Sequence, residues 1–494
     1  MAEVCLWWCD LRYGQPVRVG ESRGTWKGRR VMAEDAWNQA RLIPTSGIRD
    51  NSEEQERRGT SALLAVMTSV KEFGRALTER AGAPAGRIET YIEVPFVAGG
   101  QCVYPDGLIR VSRGKRSWTA LVEVKTGRNE LRTDQLETYL DVARDEGFDA
   151  LITISNEIPS VPGQHPTKID KRKLRKVTVH HFAWSEVLTE AIIQKEHRGV
   201  ADPDQAWVLG ELIRYLEHRK SGALEFSSMG TGWVAALAGA KAGTLRAADD
   251  VAIETVARFD ALLRYVGLKL GRQLGQEVTM VMSRAEVADP ARRAQALTGD
   301  LTAHGLLSGA LRIPDTIGHL VVTADLKASH IRCDVVLDAP KQGKAVTRVK
   351  WLVRQLRQAP ATTYVEALYF HQRGQGDVQN LAVLRESPEA LVADPKRDLR
   401  GFRVSLSCPM GVKNGTGRGT FIDSIEDATT GFYADIIERL KAWRASPPLL
   451  RKPQPDPRPP VEPSLVSTSL SSQEGALSTL PEPPEQASSK HTAS

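Results

Sequence analysis

The sequence predicts a mixed α/β protein: a first part ordered α, β, β, β, α, β, a second α/β (α+β) part, and a disordered C-terminal tail. Three observations predict it. The length of 494 residues exceeds what one ordinary core serves. Runs with apolar residues at every second position alternate with runs that have them at three- and four-residue steps. The composition changes sharply near Ser446, after which the chain holds 11 of its 27 prolines and cannot bury enough apolar area to offset its entropy. With 41% apolar and 26% charged residues, the chain is not disordered, collagen-like or coiled-coil throughout. The layout expected is an N-terminal extension over residues 1–48, a first domain over 49–221, a second over 222–446 and a tail over 447–494.

The stretch from Asn51 to Ala81 predicts one long helix, with Leu63, Met67, Val70 and Leu77 on one face behind the capping sequence Ser52-Glu53-Glu54-Gln55. Three strand-like runs follow, IETYIEVPF, VYPDGLIRV and WTALVEVKT, separated by AGGQ and SRGKRS, which read as hairpin loops. A helix from Thr133 to about Glu146 leads into the strands FDALITIS and KVTVHHF and a helix over Ser185 to Glu196. Past Gly222 the pattern gives a long amphipathic helix from Ala247 to Arg272, strands HLVVTADL, IRCDVVLDAP and TTYVEALYF, and a basic helix AVTRVKWLVRQLRQ.

No run approaches the roughly 20 apolar residues of a membrane span, and the opening MAEVCLWWCDLRYG lacks the basic and apolar regions of a signal peptide, so the cytoplasm is the expected home. Five cysteines, with only Cys5 and Cys9 close together, make no zinc cage and read as reduced thiols. The net charge of +6 comes from the part before the tail, a lean toward polyanionic partners.

Chemistry concentrates in the first domain. Pro105-Asp106 precedes Glu123-Val124-Lys125, and strand residues two apart face one side, so Glu123 and Lys125 project together while a hairpin brings Asp106 beside them. Two carboxylates and the Val124 carbonyl suit magnesium or manganese, which take oxygen ligands. A lysine there offsets negative charge that develops on a phosphate. Asp325 and Lys327, with Pro314-Asp315 upstream, repeat the triplet without the surrounding elements. Gln135 and Tyr139, four apart on a helix, face one way. A structural alternative for the acid and lysine triplet is a salt-bridge ladder between neighbouring strands.

These residues resemble the PD-(D/E)XK nuclease superfamily, whose αβββαβ core is the restriction-endonuclease-like fold. The resemblance covers about residues 51–182, and the Gln135 to Tyr139 spacing looks like the helical motif of its RecB-type branch, although 51–81 holds no histidine. The resemblance implies that Asp106 and Glu123 bind Mg2+ or Mn2+, that Lys125 positions the water, and that Gln135 and Tyr139 contact DNA. It also implies a glutamate from the first helix. On a helical wheel Glu56 faces inward with Leu63, Glu53 is intermediate and Glu54 points away. The basic run around Lys171, Arg172 and Lys173, with Arg110, Arg113, Lys115 and Arg116, is a candidate grip on phosphates. The function expected is metal-dependent hydrolysis of nucleic acid, with DNA as partner and a homodimer as one way to cut two strands. The alternative is a non-catalytic nucleic-acid-binding or scaffold protein on the same core.

Overall fold

The computed structural model describes residues 38–39 and 52–445, apart from 162, 373, 395 and 396. The expected tail, Cys5 and Cys9 lie outside the described residues, as does most of the extension. Asn38–Gln39, within that extension, is nonetheless an edge strand, β1.

The expected first helix is two helices, α1 (Ser52–Ser69) and α2 (Lys71–Arg80). Thr68 and Ser69 bond their hydroxyls back to the carbonyls of Leu64 and Ala65, and Val70 then turns extended (φ −103°, ψ 93°). Such back-bonding bends helices, and the β-branched Val70 is a poor residue to carry one on.

The first strand-like run also divides. β2 (Arg87–Ile92) ends at Glu93, which takes a left-handed φ of 50°. Pro95, which has no N–H for a ladder, keeps the chain out of the sheet. A small hairpin, β3 (Phe96–Ala98) and β4 (Gln101–Val103), intervenes before β5 (Gly107–Arg113) re-enters opposite β2. Asp106 therefore precedes its strand instead of lying on it. β6 (Arg116–Val124) returns antiparallel to β5, and α3 (Thr133–Glu146) crosses to β7 (Ala150–Ser155), parallel to β6. After β8 (Thr178–Ala183) come α4 (Trp184–Ile192) and α5 (Pro203–Glu217).

The sheet order is β1-β2-β5-β6-β7-β8. Strand side chains alternate between its faces. Leu108, Leu121 and Leu151 meet Leu136, Tyr139 and Leu140 of α3, while Ile109, Val122 and Ile152 meet the buried stripes of α1, α2 and α4. Each fully buried leucine contributes about 1.5–3 kcal/mol, so α3 is seated firmly on the side of the sheet that carries Glu123.

Beyond the turn at Gly222 lies a mostly antiparallel α+β part. Its elements are α6 (Trp233–Ala242), α7 (Asp250–Leu274), β9 (Thr279–Met280), α8 (Arg284–Ala288), α9 (Pro290–His304), β10 (Leu306–Arg312), β11 (Leu320–Asp325), β12 (His330–Asp338), α10 (Ala345–Gln355), β13 (Tyr364–Tyr369), β14 (Val378–Asn380), α11 (Leu381–Glu386), β15 (Leu399–Pro409) and α12 (Phe421–Asp435). The strands form one sheet ordered β14-β13-β15-β12-β11-β10-β9. In β12, Ile331, Cys333, Val335 and Leu337 enter the helix-covered core, and Arg332 and Val336 face outward. Described residues up to Arg444 form one compact unit. Arg264 of α7 reaches Glu186 of α4 at 2.8 Å, and Arg272 reaches Thr189 at 2.9 Å. Among the described residues no helix is long and apolar enough to cross a membrane. Cys102 is disulfide-bonded, which corrects the expectation of a reduced thiol there; such pairing depends on proximity in the fold, which sequence spacing does not carry. Cys333 and Cys408 are free.

Candidate functional site

β5 begins beside the end of β6, so the residue before β5 lies level with Glu123 in the register that pairs Gly107 with Val122. Gly107 matters to this placement: a Cβ on it would come within 2.4 Å of Leu64 Cδ1, so its bare backbone lets α1 close over the strand entry. Asp106 Oδ2 accepts a 2.8 Å bond from the Val124 amide, which fixes the carboxylate against β6. Glu123, 1% exposed, accepts a 2.6 Å bond from Lys125 Nζ on one oxygen. Its other oxygen, Oε2, is buried with no N–H donor, and the Glu123 and Asp106 carboxyls lie within hydrogen-bonding reach of each other. Lys125 Nζ also lies 3.2 Å from the Val124 carbonyl and 3.4 Å from Glu56 Oε2. Glu56 comes from α1, and its Oε1 accepts from Asn129 Nδ2 at 2.5 Å and the Thr126 amide at 3.4 Å. The four residues expected to meet do meet.

Their titration reflects the crowding. Burial raises Asp106 above the ordinary carboxylate range, against the pull of Lys125 and the Val124 amide. Burial raises Glu123 further, with the negative charge of Asp106 next in weight, and Lys125 only partly offsets them. Burial works against the Lys125 ammonium, but Glu123 and Asp106 outweigh it and hold it above the usual lysine value. Three acids share one ammonium here, leaving two negative charges in excess when all are ionised. A cavity of about 170 Å³, lined by Glu53, Glu56, Arg57, Thr60, Ile92, Glu93 and Asp106, opens beside them.

Gln135 Nε2 donates to the Tyr139 hydroxyl at 3.2 Å, and that hydroxyl donates to the Tyr104 carbonyl at 3.2 Å. The Tyr139 ring is buried, so this pair touches the acidic centre through the segment that carries Asp106. Burial, then the charge of Glu123, raises Tyr139 above the usual phenol value and keeps it a donor.

The basic run lies elsewhere. Lys173 pairs with Asp141 at 2.6 Å, the Asp170 amide bonds Glu137 Oε1, and Lys168 accepts from Thr133. Thr133, Glu137 and Asp141 form one stripe of α3, and Gln135 and Tyr139 are turned about 200° from it. Lys171, Arg172 and Lys173 thus border the face of α3 away from the acids; spacing in a loop carries no information about which helix face the loop will choose. The tip Arg113 to Arg116 is also remote: Gly107 to Arg113 spans about 20 Å at ~3.4 Å per residue.

Glu54 does not point into solvent as the wheel suggests. It is 4% exposed and bonds Arg58 at 3.0 Å, because α5, absent from the sequence reading, packs over that side of α1. The second acid and lysine triplet stays apart: Asp325 accepts from the Ala328 amide, and Lys327 reaches the Ala303 carbonyl.

Sequence reasoning missed Asn129, the partner of Glu56, and Trp184, whose Nε1 donates to the Lys125 carbonyl at 2.9 Å. It also missed a polar row continuing across the sheet from Glu123. Thr153 lies beside Glu123 and His181 beside Thr153 in register, and the Thr153 hydroxyl meets His181 Nδ1 at 3.0 Å and His165 Nε2 at 2.9 Å. Burial lowers His181 to about 3, so it stays neutral. No signal of spacing marks any of these residues.

Among the described residues no group of three histidine, cysteine or acidic side chains is gathered as a ready metal cage. The donor set here is smaller: two carboxylates and one carbonyl, with one carboxylate oxygen buried without an N–H donor. No protein-family model, curated protein or solved structure matches the chain.

Proposed function

We propose that the chain is a metal-dependent nuclease that hydrolyses phosphodiester bonds of nucleic acid, with DNA as the substrate to test first. One observation carries the reading: Glu123 Oε2 is buried without an N–H donor and its carboxyl crowds that of Asp106, in a cluster whose acids exceed its ammonium by two. Two crowded, buried carboxyls are driven to hold a proton between them, and a divalent cation takes that proton's place and carries the missing charge. Asp106, Glu123 and the Val124 carbonyl would hold Mg2+ or Mn2+. When bound, the ion supplies Lewis-acid stabilisation and a more acidic water. The element order α1, β2, β5, β6, α3, β7 supports placing these residues in a restriction-endonuclease-like core.

The chain's own residues do the remaining work. Lys125, kept protonated by its two neighbours, places a fixed positive charge where negative charge develops on phosphate. Glu56 holds Lys125 from the α1 side, and Asn129 holds Glu56. Tyr139, backed by Gln135, fixes the Tyr104 carbonyl and so the approach of Asp106.

The test is incubation of the purified chain with linear, circular and single-stranded DNA, with Mg2+ or Mn2+ and with chelator. Cleavage is expected with metal and none with chelator. Binding that ignores both, without cleavage, would leave the alternative of a non-catalytic binder.

A further inference from the structure

Lys125 and the loop after it carry most of the contacts around Glu56, yet residues 126–129 belong to no helix or strand. What fixes them is a side chain from the neighbouring strand end. Asn156, just past β7, donates through Nδ2 to the Gly127 carbonyl at 3.0 Å and to the Gly222 carbonyl at 2.8 Å. Its Oδ1 accepts from the Leu224 amide at 2.8 Å. Gly127 itself donates to the Gly222 carbonyl at 2.8 Å. One amide thereby joins three strips of backbone: the loop after Lys125, the end of β7, and the chain that leads into the second part.

The packing allows no substitute for this arrangement. Gly222 has a left-handed φ of 77°, and a Cβ on it would lie 2.7 Å from Thr126 Cβ. Thr126 is the residue whose amide faces Glu56, and the Thr126 carbonyl accepts from the Asn129 amide at 3.1 Å.

We propose that Asn156 is a positioning residue of the acidic centre: by clasping Gly127 to Gly222 and Leu224, it holds the Thr126–Asn129 loop against Glu56 and makes the site depend on how the second part's chain enters. This rests on the nuclease reading for its catalytic consequence, but its structural consequence is independent of that reading. Asn156 touches none of the acids, so it acts through the loop alone.

Asn156→Asp is the informative change. It keeps the acceptor for Leu224, removes both donors, and sets a carboxylate against two carbonyls at nearly unchanged volume. Outer residues that orient a metal site typically matter by 10–100-fold, so kcat for DNA cleavage is expected to fall by about that factor with KM within about twofold. Amide hydrogen exchange of residues 126–129 in the full chain should accelerate at least about tenfold. Gly222→Ala, which pushes the same loop from the other side, should speed exchange in the same segment and serves if Asn156→Asp folds poorly. Exchange at 126–129 unchanged in Asn156→Asp, or in Gly222→Ala where Asn156→Asp does not fold, overturns the proposal, as does unaltered kcat in an active enzyme. If the wild-type chain cleaves nothing, the nuclease reading fails, and exchange alone still decides whether Asn156 holds the loop.

Discussion

Replacing Glu123 by alanine is expected to reduce metal-dependent cleavage at least about a thousandfold, equivalent to roughly 4 kcal/mol of transition-state stabilisation. The side chain is the hub of the cluster: one oxygen bonds Lys125 at 2.6 Å, and its carboxyl is buried against that of Asp106. Its loss removes a ligand and frees the lysine together. Glu123→Gln separates charge from shape and gives the expectation a sign in pH. The Asp106 and Glu123 carboxyls are both raised in the fold. Their stabilising contribution is therefore greatest below the ordinary carboxylate values of 3.8 and 4.5 and is lost as pH rises through them toward the raised folded values. Without metal, the Glu123→Gln chain should be more stable than wild type at pH 8, and the difference should shrink toward pH 4. Thermal melts in chelator across that range measure it. A Glu123→Ala chain that cleaves at the wild-type rate eliminates the mechanism.

The second large effect concerns the fold beyond Gly222. Asp260 of α7 and Arg293 of α9 are 2% and 7% exposed and form a two-pronged pair, Nε to Oδ2 at 2.8 Å and Nη2 to Oδ1 at 2.6 Å. Glu286 makes a longer ion pair of 3.8 Å with the same guanidinium, on a different nitrogen. Asp260→Ala leaves a buried guanidinium without its carboxylate and should cost about 3–5 kcal/mol. The expected readout is a lower urea midpoint at unchanged slope. Adding Arg293→Met should restore most of the loss, because the cost lies in the stranded charge. A loss below about 1 kcal/mol for Asp260→Ala would show that Glu286 or water takes over the guanidinium.

How far the sequence revealed the structure depended on whether a feature was local. The helix Thr133–Glu146 is read with its bounds correct, since it has an apolar stripe and Gly147 as a left-handed cap at φ 74°. Glu123, Val124 and Lys125 are read correctly because a period-two strand fixes which side chains share a face. Asp106 meets them as expected, but from the loop end. The break at Val70 was hidden because Leu63, Met67, Val70 and Leu77 keep helical spacing across it. The excursion after Glu93 was hidden because a left-handed glutamate leaves no mark in an apolar pattern. Glu54 was misjudged because a helical wheel treats α1 as a single surface against one core, whereas α5 covers its other side. Asn129 and Asn156 were invisible for a simpler reason: an asparagine in a loop has no period, and only the folded chain shows what it joins.

The most direct measurement is a calorimetric titration of Mn2+ into the purified full chain and into the Asp106→Asn, Glu123→Gln double variant. A metal site at these carboxylates requires one bound ion per wild-type chain, a melting temperature that rises with metal by the equivalent of about 2.7 kcal/mol at a hundred times the dissociation constant, and loss of both responses in the variant. Equal binding by the two chains, or none by the wild type at millimolar Mn2+, would contradict it.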